Sequence, residues 1–146
     1  MFDDLGHNGV MDDLVQFLRD RLDEDEQAAQ QAIACEFLTS GQWLARGPYG
    51  DDDRFGNMQS EQNEQIIEDG LLWGTVAHIA RHDPARVLAE VDAKRRLLAI
   101  HRRFVDEPGQ ACLGCAGGIE WEACPVVRLL ALPYADHPYF REEWRP

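Results

Sequence analysis

The chain has 146 residues, 45 % of them apolar, and a formal net charge of −13. A chain of this length and composition can bury a continuous hydrophobic core as one domain. No apolar run reaches the ~18 residues of a membrane span, and no basic segment precedes an apolar stretch near the start. We therefore expect a cytoplasmic protein that has no membrane partner.

The excess negative charge lies in the first half of the chain. Residues 1–70 carry 17 acidic and 4 basic side chains, whereas residues 71–146 carry 10 of each. Such a field repels the phosphates of nucleic acid and favours basic partners, although its commonest consequence is solubility. We expect a protein partner and do not favour nucleic acid, and the sequence leaves the oligomeric state open.

Two long amphipathic helices are predicted from apolar residues that recur at helical spacing. The first covers residues 12–38 and has acidic side chains on its polar face. The second covers residues 84–104, where Asp83 caps the helix and Pro84 takes its first position. Because this second helix carries six basic residues against two acids, the two helices can lie antiparallel with complementary charge.

The middle of the chain is less regular. Residues 39–60 are rich in Gly, Asp and Ser and are predicted to form a loop. Residues 61–73 fit either a short helix or a β-hairpin near 66–73, in which Asp69-Gly70 forms the turn. The hairpin is the preferred interpretation.

The predicted fold class is mainly α. Residues 1–10 contain little apolar content and are predicted to be a flexible N-terminal extension, with Met11 as an alternative start. Residues 11–146 are predicted to form a single small helical domain with a zinc-knuckle-like cysteine loop. Its shorter helices are expected over 75–82 and from residue 125 to about 133.

Three cysteines have metal-ligand spacing within a glycine-rich loop over residues 108–124. The pattern is Cys112-x2-Cys115-x8-Cys124. A CxxC turn places two thiolates about one tetrahedral edge apart. Cys124 precedes a predicted helix, where the positive end of the dipole favours the thiolate. Glycines supply the unusual backbone angles of the turn, namely Gly114, Gly117 and Gly118. We predict a structural zinc ion that replaces missing core.

The fourth ligand is assigned to His101, which lies near the end of the helix that leads into the loop. Cys35, His78 and His82 compete for this position, and a water molecule there would leave the site open. A redox CxxC pair and three unligated buried cysteines are the alternatives to a metal site.

Catalytic motifs are absent from the sequence. A catalytic zinc needs an open position and a general base, and the spacing of Glu120, Glu122 and Asp83 marks none of them as that base. His78-x3-His82 has a spacing that can bind a metal, but it lacks the Glu of a metalloprotease helix. We therefore assign no catalytic and no cofactor-binding residue.

Three segments together are similar to those of a known family. They are MDDLVQFLRDRLDEDE from Met11, AHIARHDPARVLAEVDAKRRLLAIH from Ala77 and CPVVRLLALPYADHPYFREEW from Cys124. They resemble a family of small uncharacterised domains of actinobacteria, their phages and mobile elements, which has no assigned activity. The resemblance implies an accessory role, and variation of the cysteine loop within that family suits a stabilising metal.

The function expected from the sequence is that of a non-enzymatic, zinc-stabilised protein-interaction module. The charge split between the two predicted helices and the lack of a catalytic constellation favour it. The alternatives are a nucleic-acid-associated regulator or acidic DNA mimic, and a metal-dependent hydrolase.

Overall fold

The computed structural model describes residues 6–35 and 40–146, without the side chains of residues 6–8 and 35. Within these ranges the regular elements are, in chain order, α1 (Gly6–Cys35), β1 (Trp43–Tyr49), β2 (Phe55–Ser60), β3 (Ile66–Leu72), α2 (Trp73–Arg81), α3 (Pro84–Ile100) and α4 (Pro125–Ala131). Short 3₁₀ turns lie at Trp121–Ala123, Leu132–Tyr134 and Glu142–Trp144.

The chain divides into two compact units. We call Glu24–Val91 the sheet unit, and Met1–Asp23 together with Asp92–Pro146 the cysteine unit. Each unit has its own buried apolar cluster.

The sheet unit contains an antiparallel sheet in the order β1-β2-β3. Alternate residues of β2 are buried, so one face of this strand points into a core that includes Met58. Helix α2 contributes Val76 and Ala80 to the same cluster. Partly buried side chains complete it, namely Trp43, Ala45, Ile67, Leu71, Trp73 and Ile79.

The cap predicted before α3 is present in the sheet unit. The backbone N–H of Arg86 donates to Asp83 Oδ1 at 2.8 Å, and that of Trp43 donates to Asp83 Oδ2 at 3.1 Å. A single carboxylate thus satisfies one free donor of the helix start and one donor at the start of β1.

The cysteine unit packs the N-terminal half of α1 against the last third of the chain. Its buried cluster consists of Met11, Leu14, Phe17, Leu18, Cys112, Trp121, Cys124, Val127, Ala131 and Trp144. Phe17 lies at its aromatic centre and contacts Phe140 edge-on, with 6.1 Å between ring centroids. The residues after α4 therefore add aromatic side chains to the buried cluster, which the short α4 could not complete alone.

Complementary charge joins α1 to α3 and to the segment directly after α3 within the cysteine unit. Arg103 Nη2 lies 3.1 Å from Asp12 Oδ2, and Arg95 Nη2 lies 2.7 Å from Asp23 Oδ1. Asp12 precedes Asp23 in the sequence, whereas its partner Arg103 follows Arg95. This order means that the two segments run in antiparallel directions.

The mainly α prediction is wrong, because the fold is mixed α/β with a three-stranded antiparallel sheet. Strands β1 and β2 occupy the predicted loop over 39–60, where Gly, Asp and Asn are poor strand formers by composition. Only one face of β2 is buried, so its other positions can be polar. Backbone pairing with β1 and β3 here outweighs the weak local propensity.

The hairpin predicted near 66–73 is also wrong, because Asp69-Gly70 lies inside β3. These two residues fall between the paired positions Glu68 and Leu71, where the register with β2 shifts. Gly70 has a φ of 70°, which suits a bulge as well as a hairpin turn. The Asp69-Gly70 pair therefore forms a bulge within β3 and not the hairpin turn that its residue types also favour.

Helix ends differ from prediction. Helix α1 begins at Gly6, within the segment predicted to be flexible, and residues 36–38 of the predicted helix lie outside the described residues. Helix α3 ends at Ile100 rather than near residue 104. Within the described ranges, no helix combines the length and apolar content that crossing a membrane requires.

Candidate metal centre

Four side chains of the cysteine unit converge on one point. His101 directly follows the last residue of α3, Cys112 and Cys115 lie in the loop, and Cys124 directly precedes α4. Their ligand atoms all lie within 4.8 Å of one another, so these residues are close enough to bind a metal ion.

Five of the six donor-to-donor distances within this cluster are nearly equal. His101 Nδ1 lies 3.5 Å from the sulfur of each of the three cysteines. The sulfur of Cys124 lies 3.7 Å from those of Cys112 and Cys115. A disulfide needs sulfurs at about 2.05 Å, so these three cysteines are not disulfide-bonded. Near-equal distances between donor atoms are expected when the donors surround a common centre.

The backbone of the loop is fixed by pairing across its base. Ala111 forms an antiparallel bridge with Glu120, and the N–H of Cys112 donates to the carbonyl of Ile119 at 2.7 Å. The N–H of Leu113 donates to the carbonyl of Arg102 at 2.9 Å. These bonds hold the CxxC turn against the end of α3, which is where His101 lies.

Gly114 has a role other than the one predicted for it. A Cβ built on Gly114 would lie 2.8 Å from His101 Nδ1 and 2.8 Å from Ile100 Cγ2. Real Cβ atoms do not approach so closely, so any side chain here would push the imidazole away from the sulfurs. Gly117 has a positive φ of 86°, as predicted for the turn.

A second layer of side chains orients the histidine. Trp121 Nε1 donates to the backbone carbonyl of His101 at 2.9 Å. The guanidinium carbon of Arg103 lies 4.7 Å from the centroid of the Trp121 ring. Arg103 also pairs with Asp12, Asp106 and Glu122, although its side chain is only 8 % exposed. The Trp121 indole is thus held by a hydrogen bond at its nitrogen and by the Arg103 guanidinium against its ring.

The protein environment alone disfavours the thiolate forms of Cys115 and Cys124. Burial, with the neighbouring sulfurs of Cys112 and Cys124, raises the pKa of Cys115 to about 12. Burial also raises the pKa of Cys124, against the backbone N–H groups of Val127 and Val126, which lower it. The helix-start effect predicted for Cys124 is present but smaller than burial. A cation that ligates these sulfurs must therefore displace their protons.

The members of the cluster distinguish among some of the residues that compete to be the fourth ligand. It contains His101, and it contains neither His78 nor His82. The side chain of Cys35 lies outside the described residues. Among the described residues, no carboxylate belongs to the cluster, and Glu122 instead lies 3.5 Å from Arg103.

Sequence reasoning missed the supporting residues. The indole bond from Trp121 and the buried guanidinium of Arg103 have no local sequence signature, because their partners lie far along the chain. A glycine inside a CxxC motif is the one signal that could have indicated the close approach at Gly114.

Comparison with known proteins places the chain in a family without naming an activity. Residues 11–146 match the model of a family of unknown function, DUF6221, and the chain belongs to that family. No curated protein and no solved structure matches the chain.

Proposed function

We propose that this chain is a non-enzymatic protein-interaction module whose cysteine unit is stabilised by a structural zinc ion. The ion would be held by His101 Nδ1 and by the sulfurs of Cys112, Cys115 and Cys124. Zinc in such a site fixes the loop and the two helix ends that carry its ligands.

The donor distances carry this proposal. With Zn–S bonds of about 2.3 Å and Zn–N bonds of about 2.0–2.1 Å, a regular tetrahedron has S···S edges of about 3.8 Å and S···N edges of about 3.6 Å. The corresponding distances here are 3.7 Å and 3.5 Å. Thiolate and imidazole donors suit zinc, whereas calcium and magnesium prefer oxygen.

A structural role is favoured over a catalytic one by the closure of the site. Four protein donors complete a tetrahedron and leave no position for a reactive water. Cys112 and Cys124 are both buried. A general base would need to lie beside an open metal position, and the cluster contains no carboxylate among the described residues.

An apolar surface beside the cluster supports a docking role. We call Leu97, Ile100 and Leu113 the knuckle patch. Ile100 is 54 % exposed and Leu113 is 52 % exposed, and each directly precedes or follows a ligand of the cluster. A Cβ on Gly114, the residue after Leu113, would lie 2.8 Å from Ile100 Cγ2, so this part of the loop lies against the end of α3. From this approach we infer a contiguous patch, and contiguous exposed apolar side chains mark interaction surfaces more often than isolated ones do. The metal centre would hold the two halves of the patch, on α3 and on the loop, in one arrangement.

Charge indicates which kind of partner would fit the patch. Residues 93–105, which surround it, contain five basic and no acidic side chains. We propose a protein segment that carries both apolar and acidic side chains. Nucleic acid is less suited, because Arg95, Arg96 and Arg103 already pair with carboxylates of this chain and the net charge is −13.

Metal analysis of the natively purified full chain tests the zinc. One zinc ion per chain is expected, with loss of the metal in Cys112→Ser and in Cys124→Ser. Cys35→Ser is the matched control, because it removes one thiol from outside the four proposed ligands. A wild-type protein without stoichiometric zinc, or a Cys35→Ser variant that loses it, would contradict the proposal.

A capture experiment with two matched baits tests the interaction. Leu113→Glu places a charge in the knuckle patch, and Leu129→Glu places one at a leucine of the cysteine unit that is 53 % exposed. The proposal expects a partner retained by the wild-type and Leu129→Glu baits and lost by Leu113→Glu, while all three keep their zinc. Equal capture by both variants, or capture that nuclease treatment removes, would contradict it.

A further inference from the structure

We propose that His78 and His82 form a second metal-binding site, for a divalent transition-metal ion of the class that prefers imidazole nitrogen. Zn²⁺, Ni²⁺ and Cu²⁺ belong to this class. Both residues belong to the sheet unit, and neither is part of the cysteine cluster. This inference therefore does not depend on the zinc proposed above.

The two rings lie side by side on the surface of the sheet unit. His78 is on α2, and His82 is four residues later, at the C-cap of that helix. Their ring centroids are 4.5 Å apart and the ring planes differ by 38°. Both residues are exposed. Imidazoles four residues apart on a helix can ligate a single metal ion.

A hydrogen bond fixes which nitrogen of His82 is available. His82 Nδ1 lies 2.9 Å from the backbone carbonyl oxygen of His78. A carbonyl oxygen can only accept, so Nδ1 carries the proton, and in the neutral ring the free lone pair lies on Nε2. Metal-ligating histidines commonly have this arrangement, with the second nitrogen donating to a backbone carbonyl.

His78 supplies the second donor. Within residues 6–35 and 40–146, neither ring nitrogen of His78 has a hydrogen-bond partner in the protein. Capping of α2 uses Nδ1 of His82, and in the described part of the chain Nε2 of His82 and both ring nitrogens of His78 are available to a ligand. Two protein donors leave coordination positions for water or for a group from a partner, so exchange should be faster than at the cysteine cluster.

The experiment uses the full chain, first loaded with one equivalent of Zn²⁺ and then titrated with Ni²⁺ as the probe. Calorimetry is expected to show one Ni²⁺ bound per chain. In two-dimensional NMR of the ring resonances, paramagnetic broadening should be strongest at His78 and His82. This second measurement uses the unmodified protein, so it does not depend on how any variant folds.

Three variants separate chelation from histidine content. His78→Ala and His82→Ala should each weaken Ni²⁺ binding at least about tenfold, since loss of a ligand exceeds the loss of its orienting partner. In the double variant T75H/H78A, two exposed histidines remain on α2 but stand two turns apart. This spacing is about 10 Å along the helix, which is too long for one ion, so binding should be as weak as in His78→Ala.

Two results would overturn the inference. The first is unchanged Ni²⁺ affinity in T75H/H78A, which would indicate binding to single imidazoles. The second is a thiolate-to-nickel charge-transfer band, or broadening centred on His101, which would place the ion at the cysteine cluster instead.

Discussion

The two units of this chain are held together in different ways. The sheet unit places the buried side chains of Met58 and Val76 between a sheet and a helix, and backbone pairing of three strands organises it. The cysteine unit includes two of its three loop cysteines in its buried cluster, next to Trp121 and Val127. We expect metal ligation to order the loop over residues 108–124 in addition to the apolar contacts of this cluster.

The two units also differ in charge. The sheet unit carries thirteen acidic and four basic side chains, whereas the cysteine unit carries fourteen and ten. Two acids of α1 have arginine partners in the cysteine unit, Asp23 with Arg95 of α3 and Asp12 with Arg103 after the end of α3. The sheet unit therefore accounts for most of the net negative charge, and the cysteine unit offers a mixed surface around its apolar patch.

Removal of the metal ligands is expected to have the largest effect and to be confined to one unit. Structural zinc sites contribute about 10 kcal/mol or more to folding near neutral pH. In the double variant C112S/C124S, amide hydrogen exchange should become fast over residues 101–131 and remain slow over residues 43–80. Equal loss of protection in both ranges would contradict the difference drawn between the units.

The converse test removes core from the sheet unit. Met58→Ala deletes a buried side chain that is 5 % exposed and should lower the free energy of unfolding by about 2–4 kcal/mol. Metal content should be unchanged. Ile66→Ala, at an exposed position of β3, is the matched control and should change stability by less than about 0.5 kcal/mol.

Acidification should weaken metal binding without a matching change in the sheet unit. Burial and neighbouring sulfurs raise the pKa of Cys115 to about 12, and burial raises that of Cys124. These thiols hold their protons at neutral pH unless a cation displaces them, so affinity rises with pH and falls as pH falls. The change is about 1.4 kcal/mol per pH unit for each proton released. Competition with a chromophoric chelator between pH 6 and 8 measures it, and a pH-independent affinity would contradict it.

The bulge in β3 should respond weakly to substitution. Gly70 has a φ of 70° and open space where a Cβ would lie, so Gly70→Ala adds only backbone strain, about 1 kcal/mol. Gly74→Ala is the matched control, since Gly74 lies in α2 with equally open space and should become more stable by about 0.5–1 kcal/mol. Thermal unfolding of both variants measures the difference, and destabilisation by both would indicate that the space is not open.

Gly70 also shows what the sequence could not reveal about the sheet. An Asp-Gly pair favours positive φ, and a tight turn and a bulge both use it. Which of the two forms depends on the neighbouring strand, which here is β2. The sequence did not predict β2, because this strand lies in a polar segment in which only alternate residues are buried. Helix α3 was predictable because its Asp83 cap and its periodicity are local.

The candidate site was more predictable than the sheet. The spacing of Cys112, Cys115 and Cys124 is a local pattern, and His101 is the candidate ligand that directly precedes them in the sequence. The choice among competing ligands and the second layer around Trp121 depend on tertiary contacts. Periodicity and motif spacing contain no information about such contacts.

The ion pair between Arg95 and Asp23 should make the smallest contribution, although it follows the predicted charge pattern. Arg95 and Asp23 are 2.7 Å apart, but their side chains are 39 % and 60 % exposed, so solvent screens the pair. Arg95→Gln, Asp23→Asn and the double variant should give a coupling free energy below about 0.5 kcal/mol that decreases with salt. A coupling above about 1 kcal/mol would contradict this screening and would mean that charge contributes substantially to holding α1 against α3.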